Sequence, residues 1–260
     1  MYDINKKIRM RLVKDFLVVF LLSAFTFSSL ASAEEGLVGC WNFDEGKGDI
    51  AKDSSDNKKD GKISGNPQWV KQDKGYALSF DGIDDEVTIS NAPVFFPSDN
   101  WTVSFWSKID PAQTSWQGVI CFKSGAAWGI YACHPYTASH PNTAFLYTAG
   151  EKHTGATAIY FPTKEILGLG NWKYYTLTKS GSIYRWYIDG DNYASQDKGK
   201  GDVTMNTSST WKIGFKYMNR YKGTIDEVMV YNRALTAQEI KKHYEAGSWR
   251  VEEGSEFGIF

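Results

Sequence analysis

The polar residues able to do chemistry are scattered in this chain, and their spacing says more about binding than about turnover. The four histidines, His134, His140, His153 and His243, fall in loops or on the terminal helix, and no Ser/His/Asp or Cys/His constellation follows from their spacing. Cys40, Cys121 and Cys133 match no zinc spacing and allow at most one disulfide. Asp226 and Glu227 stand at the entrance of an apolar strand, Ile225 to Tyr231, where period two sends them to opposite faces. A buried carboxylate there needs a partner, a hydrogen bond or a metal; Arg233 is the expected partner of Glu227. Asp84-Asp85-Glu86 lies in a turn after Phe80.

Aromatic residues are more telling: 10 Trp, 15 Tyr and 15 Phe in 260 residues. A sugar site needs aromatic faces for the apolar side of pyranose rings, ringed by groups that orient the hydroxyls. Trp128, Tyr131, His134, Tyr136, His140 and Tyr147 cluster between Ser124 and Tyr160, and Tyr217 and Arg220 form a second polar-aromatic loop. These eight are the candidate ligand-binding residues. The competing reading makes Trp128 and Tyr131 ordinary sheet residues and the histidines solvated surface. Trp41, Phe43, Phe80, Phe105, Trp172 and Trp211 are assigned to the core.

Elements that could position such groups are mostly strands. Short apolar runs recur at 37–43, 76–80, 86–90, 101–109, 118–123, 128–132, 143–148, 172–178, 183–188, 211–215 and 225–231, with turn dipeptides such as Ser180-Gly181 and Asp189-Gly190 between them. The pair 76–80 and 86–90 reads as a hairpin or a tight corner. Thr236 and Glu239 make a capping box, Leu235 and Ile240 a hydrophobic staple, and Gly247 an αL stop, so one helix closes the chain. The expected fold is all-β: an antiparallel two-sheet sandwich or jelly roll with one short C-terminal helix.

Residues 1–33 read as a signal peptide. Lys6, Lys7, Arg9, Arg11 and Lys14 precede an apolar run to Leu30, and Ala31-Ser32-Ala33 offers a cleavage site. A membrane anchor is the alternative, weakened by Ser23, Thr26, Ser28 and Ser29 within the run. A secreted, extracellular (or periplasmic) product is expected, with no membrane contact after cleavage. A domain over 34–247 is expected, with 248–260 as a tail outside the core. The net charge of −1 gives no electrostatic case for nucleic acid or an anionic membrane.

Several segments together resemble a known family: Leu37–Gly48, Leu78–Val87, Trp101–Trp106, Tyr187–Gly190, Trp211–Gly214, Gly223–Val228, and Tyr231–Leu235 with the closing helix. Their order and spacing resemble laminin-G-like domains of the concanavalin A-like lectin/glucanase superfamily. The resemblance implies a jelly roll whose first and last strands lie near each other. It further implies a glycan ligand, or in some members a protein partner. It also implies one structural calcium ion near the joined ends, for which Asp44 and Asp226 are candidate ligands and Asp53 a weaker third. The alternative is that Asp44 and Asp226 only cap turns or pair with Lys47 or Arg233. Enzymes of the superfamily that retain configuration carry Glu-x-Asp-x-(x)-Glu on one strand, which is absent here, and only Ile213–Tyr221 resembles an alginate-lyase segment. A carbohydrate-binding protein without its own catalysis is therefore expected. A polysaccharide hydrolase or lyase and a protein-binding adhesion module remain the alternatives.

Overall fold

The computed structural model describes residues 34–92, 100–112, 117–121, 129–132, 147–148, 168–197, 210–215 and 220–252, without side-chain detail at 129–132, 147–148 and 252. Strand periodicity has become two antiparallel sheets. The first contains β1 (Leu37–Trp41), β4 (Gln68–Lys71), β5 (Tyr76–Asp81), β7 (Asn100–Ile109), β11 (Trp172–Ser180), β12 (Ile183–Ile188), β13 (Asp191–Asp197) and β15 (Lys222–Tyr231), in the order β13-β12-β11-β7-β15-β5-β4 with β1 also on β15. The second runs β10-β9-β8-β14-β6-β3-β2, from β2 (Ile50–Ala51), β3 (Gly61–Ser64), β6 (Glu86–Ser90), β8 (Gln117–Cys121), β9 (Gly129–Ala132), β10 (Tyr147–Thr148) and β14 (Thr210–Ile213).

β15 is the hinge of this arrangement. From Gly223 to Tyr231 it pairs with β7, with one interruption between Asp226 and Met229. Its other edge is shared: β5 takes Lys222–Ile225 and β1 takes Val228–Tyr231. The first and last strands are thus neighbours, as the resemblance implied.

Alternation along β7 sorts its side chains into two cores. Trp101, Val103 and Phe105 enter the cluster between the sheets with Ile225, Val228, Val230, Trp41, Phe43, Phe80 and Trp211. Trp106, from the other face, joins Trp172, Tyr174, Tyr187 and Tyr231 beneath α1 (Ala237–Gly247). All six aromatic residues assigned to the core are buried. The staple pair Leu235 and Ile240 is buried in the same outer cluster. The first sheet is therefore covered on both faces. On the second, Ile63, Val87, Ile89, Trp211 and Ile213 point inward while Lys62, Ser64, Glu86, Thr88 and Lys212 point outward, partly or fully exposed.

One open alternative is decided, and two local expectations change. The segments 76–80 and 86–90 form a corner rather than a hairpin, because β5 and β6 lie in different sheets. Gly247 does not stop α1 in the αL conformation. The helix runs through it to a C-cap at Ser248 with φ −65°, and a second short helix, α2 (Trp249–Glu252), follows. The end of the described chain is not a tail outside the core, since Arg250 is only 2% exposed. Among the described residues no helix is long and apolar enough to cross a membrane.

Candidate functional site: an aromatic-walled cleft beside the sheet corner

The Asp226–Glu227 pair shows how the structure handles its buried carboxylates. One extra residue between Asp226 and Met229 makes a β-bulge against β7, with Glu227 at φ 45°. The bulge breaks the simple alternation: Ile225 and Val228, three residues apart, both enter the core between the sheets, while Asp226 is buried and Glu227 partly exposed within reach of one guanidinium. Arg250 closes over both. Its Nε and Nη2 donate to Asp226 Oδ2 at 3.0 and 2.5 Å, and Nη2 also reaches Glu227 Oε1 at 2.9 Å. The guanidinium lies 4.2 Å from the Trp249 ring centroid and 5.3 Å from that of Trp106. Burial pushes the Asp226 carboxyl up to about 7, against the pull of Arg250. The expected Glu227–Arg233 pair does not form; Arg233 instead binds Glu239 through two bonds of 3.1 and 2.6 Å.

Asp53 and Asp44 are each engaged elsewhere. Buried Asp53 accepts from the amides of Cys40, Ser55 and Lys59 and from the Ser55 hydroxyl, all within 2.8–2.9 Å, which ties β1 to the loop before β3. Asp44 is exposed and caps the start of β5 through Tyr76 N at 3.1 Å. Asp44, Asp53 and Asp226 do not gather into one cluster of ligating oxygens. Among the described residues the group of three that does is Asp81, Asp84 and Asp85. A calcium shell of 6–8 oxygens on the first three does not fit, because Asp226 is held by a cation and Asp53 is saturated with donors.

Of the candidate ligand-binding residues, Trp128, His134, Tyr136, His140 and Tyr217 lie outside the described residues. Tyr131 and Tyr147 are direct cross-strand partners of the β9–β10 pair. Arg220 is partly buried and held at 3.1 Å by Glu86, which Lys212 also binds at 2.6 Å. Both cations hold the Glu86 carboxyl below its usual range, although burial opposes them. Arg220 is thus fixed against a partner on the outward face of the second sheet. Cys40 and Cys121 are buried on opposite sheets, and Cys133 lies outside the described residues.

A cleft of about 780 Å³ is lined by the segments Gly46–Asp49 and Ile63–Trp69, the latter running from β3 into β4. Trp69, on β4, forms its aromatic wall. The indole is half-buried against the core, and Nε1 donates to Gly48 O at 3.2 Å, which fixes its orientation. Exposed Lys47, Asp49, Ser64, Asn66 and Gln68 supply donors and acceptors around it. The carboxamide of Gln68 bonds Asn66 O at 2.9 Å, so the polar rim is partly ordered. The sequence pattern assigns no element to residues 66–75. The alternating Gln68-Trp69-Val70 was too short to read as a strand, and Trp69 was the one signal available.

With this geometry in hand, the family can be assigned. A laminin-G family model, described as the concanavalin A-like lectin/glucanases superfamily, matches residues 80–241. The chain belongs to this family. No curated protein matches it in sequence. Among solved structures it is similar to domain 4 of AbnA, an extracellular GH43 arabinanase from Geobacillus stearothermophilus, in complex with arabinotriose. Identity there is 18% and TM-score 0.59, covering 79% of this chain and 97% of that one. It is also similar to the binding domain of botulinum neurotoxin DC in complex with rat synaptotagmin II, at 15% identity and TM-score 0.64, covering 83% and 52%. The binding domain of Paraclostridial Mosquitocidal Protein 1 gives 14% and 0.62, covering 82% and 52%. This laminin-G-like chain spans about half the length of the toxin binding domains. At these identities the likeness speaks for the jelly-roll fold alone.

Proposed function

We propose that this laminin-G-like domain is a secreted carbohydrate-binding protein, without catalysis of its own, that takes its sugar in the cleft walled by Trp69. The observation that carries the reading is the combination of one oriented indole with five exposed polar side chains around an open cavity of about 780 Å³. An indole face packs on the apolar side of a pyranose, and the rim orients hydroxyls. Asp49 is the one carboxylate among the lining residues, whereas glycosidic hydrolysis uses two flanking the scissile bond. The arabinotriose in the AbnA complex supports a glycan, and the synaptotagmin complex makes a protein partner the second reading. The cluster Trp128, Tyr131, His134, Tyr136, His140 and Tyr147 remains a proposed second contact region.

Calorimetric titration against a panel of oligosaccharides tests this. Trp69→Ala is expected to weaken binding tenfold or more, since losing a buried aromatic contact costs about 1.5–3 kcal/mol. Gln68→Ala, exposed and outside the core, is expected to weaken it several-fold without changing the melting temperature. Release of shorter sugars, or binding unaffected by both variants, would overturn the assignment.

A further inference from the structure

Where the chain leaves the first sheet for the second, at the corner between β5 and β6, three carboxylates crowd together. Asp81 ends β5, and Asp84 and Asp85 follow the turn at Gly82-Ile83. Each contributes one oxygen to a group in which all lie within 4.8 Å of one another. Asp81 and Asp84 are exposed, but Asp85 is 98% buried, being only 2% exposed.

The hydrogen bonds of the corner account for only part of this. Asp85 Oδ2 accepts from Asp81 N at 2.8 Å, and Asp81 Oδ1 accepts from Ile83 N at 2.7 Å. Asp85 Oδ1 is buried and has no hydrogen-bond partner among the described residues. A buried acceptor left unsatisfied beside two like charges is costly, so such a group calls for a proton, a water or a cation. Burial, with Asp81 and Asp84 close by, holds the Asp85 carboxyl above its usual range.

Nearby cations have other partners. Lys222 faces Asp81 across the β5–β15 pair, and its stem covers Gly82, but its ammonium lies 3.2 Å from Asp110 Oδ2. Lys212 and Arg220 are taken by Glu86.

We infer that Asp81, Asp84 and Asp85 form a binding site for a divalent cation of calcium type at the corner between the two sheets. The donor chemistry is hard oxygen, which excludes a preference for soft metals. The span fits one ion: calcium–oxygen bonds of 2.3–2.6 Å put ligands on opposite sides of the ion at roughly 4.6–5.2 Å. Three carboxylates leave several positions of a 6–8 oxygen shell for water and backbone carbonyls. The site is distinct from Asp44, Asp53 and Asp226. It also abuts the cleft wall: Gly65, at φ 91°, lies so close that a Cβ there would stand 2.5 Å from Asp84 O and from Asp85 Cα. An ion would therefore brace both the sheet corner and the Gly65 end of the cleft. The inference does not depend on the sugar reading.

The test is thermal melting and calorimetric titration of the chelator-treated protein with CaCl2, with MgCl2 alongside. Calcium at 1–10 mM is expected to bind with a dissociation constant in roughly the 10⁻⁴–10⁻³ M range of extracellular modules and to raise the melting temperature by a few degrees. Asp81→Asn and Asp84→Asn, both at exposed positions, are expected to fold as the parent does and to lose that rise. Asp44→Asn is expected to keep it. No heat and no shift with 10 mM of either ion would overturn the site. So would a calcium response that survives Asp81→Asn and Asp84→Asn, or one abolished by Asp44→Asn.

Discussion

Arg250 is the residue whose role is least visible from its surroundings in the chain and most visible in space. Its side chain is 3% exposed, against 1% for its partner Asp226. Two buried charges compensate each other only through close geometry, and removing one leaves the other uncompensated. Arg250→Met is therefore expected to lower stability by about 3–5 kcal/mol. The double variant Asp226→Leu/Arg250→Met is expected to recover much of that loss, because a well-packed apolar pair carries no desolvation cost. The pH dependence adds a check. Burial raises the Asp226 carboxyl above its unfolded value even beside Arg250, and without the guanidinium the folded value rises further. A raised folded value stabilises below the unfolded one and loses that benefit as pH rises through the folded one. The Arg250→Met deficit in chemical denaturation should thus be larger at pH 8 than at pH 5. Asp226 and Glu227 were legible from sequence as carboxylates needing partners. Their partner was not, because Arg250 sits in a segment with no periodicity and is brought in by the turn after α1.

At the scale of elements, α1 was the most legible part of the chain, and for a physical reason. Its start is specified by contacts between residues three to five apart. Thr236 Oγ1 accepts from Glu239 N at 3.3 Å, while Glu239 Oε2 accepts from Thr236 N at 2.7 Å. Arg233 reinforces the same carboxylate, and together these bonds depress Glu239 to about 2. A depressed folded value contributes stability above the ordinary carboxylate range and loses it as pH falls toward 2. Glu239→Gln is expected to lower the melting temperature at pH 7, and this difference should shrink progressively between about pH 4.5 and pH 2. The strands were legible where they alternate or run apolar, as in β7 and β15. β4 and β13 were missed: the exposed alternation of Asp191–Asp197 buries too little for a hydrophobic period to register. The helix stop at Gly247 failed because Gly is kept there by crowding. A Cβ would meet Trp106 Nε1 at 2.5 Å, so the small residue serves packing rather than the αL turn.

For the whole molecule, the two-sheet class followed from counting short strands, but the assignment of strands to sheets did not. Pairing β5 with β15 and sending β6 to the other sheet is a long-range choice made by the core, and it is this choice that brings Asp81, Asp84 and Asp85 to a corner. The cleft has the same origin, since Gly46–Asp49 and Ile63–Trp69 converge only after both sheets exist. The domain limit at 247 drawn from sequence can be tested directly. A chain ending at Gly247 is expected to melt several degrees below one that extends through Glu252, because it lacks Arg250 over Asp226. Equal melting temperatures would show that the segment contributes nothing to the fold.

The pairing of β1 with β15 also has a mechanical meaning. Leu37 stands opposite Tyr231 and Trp41 opposite Val228, so the chain enters β1 and leaves β15 at the same end of the pair. Tension applied through those two points opens the pair like a zipper. Each ladder bond bears the load in turn, whereas a shearing geometry would share it among all of them. The seam that closes this sandwich is thus also the line along which a pulling force would first part it.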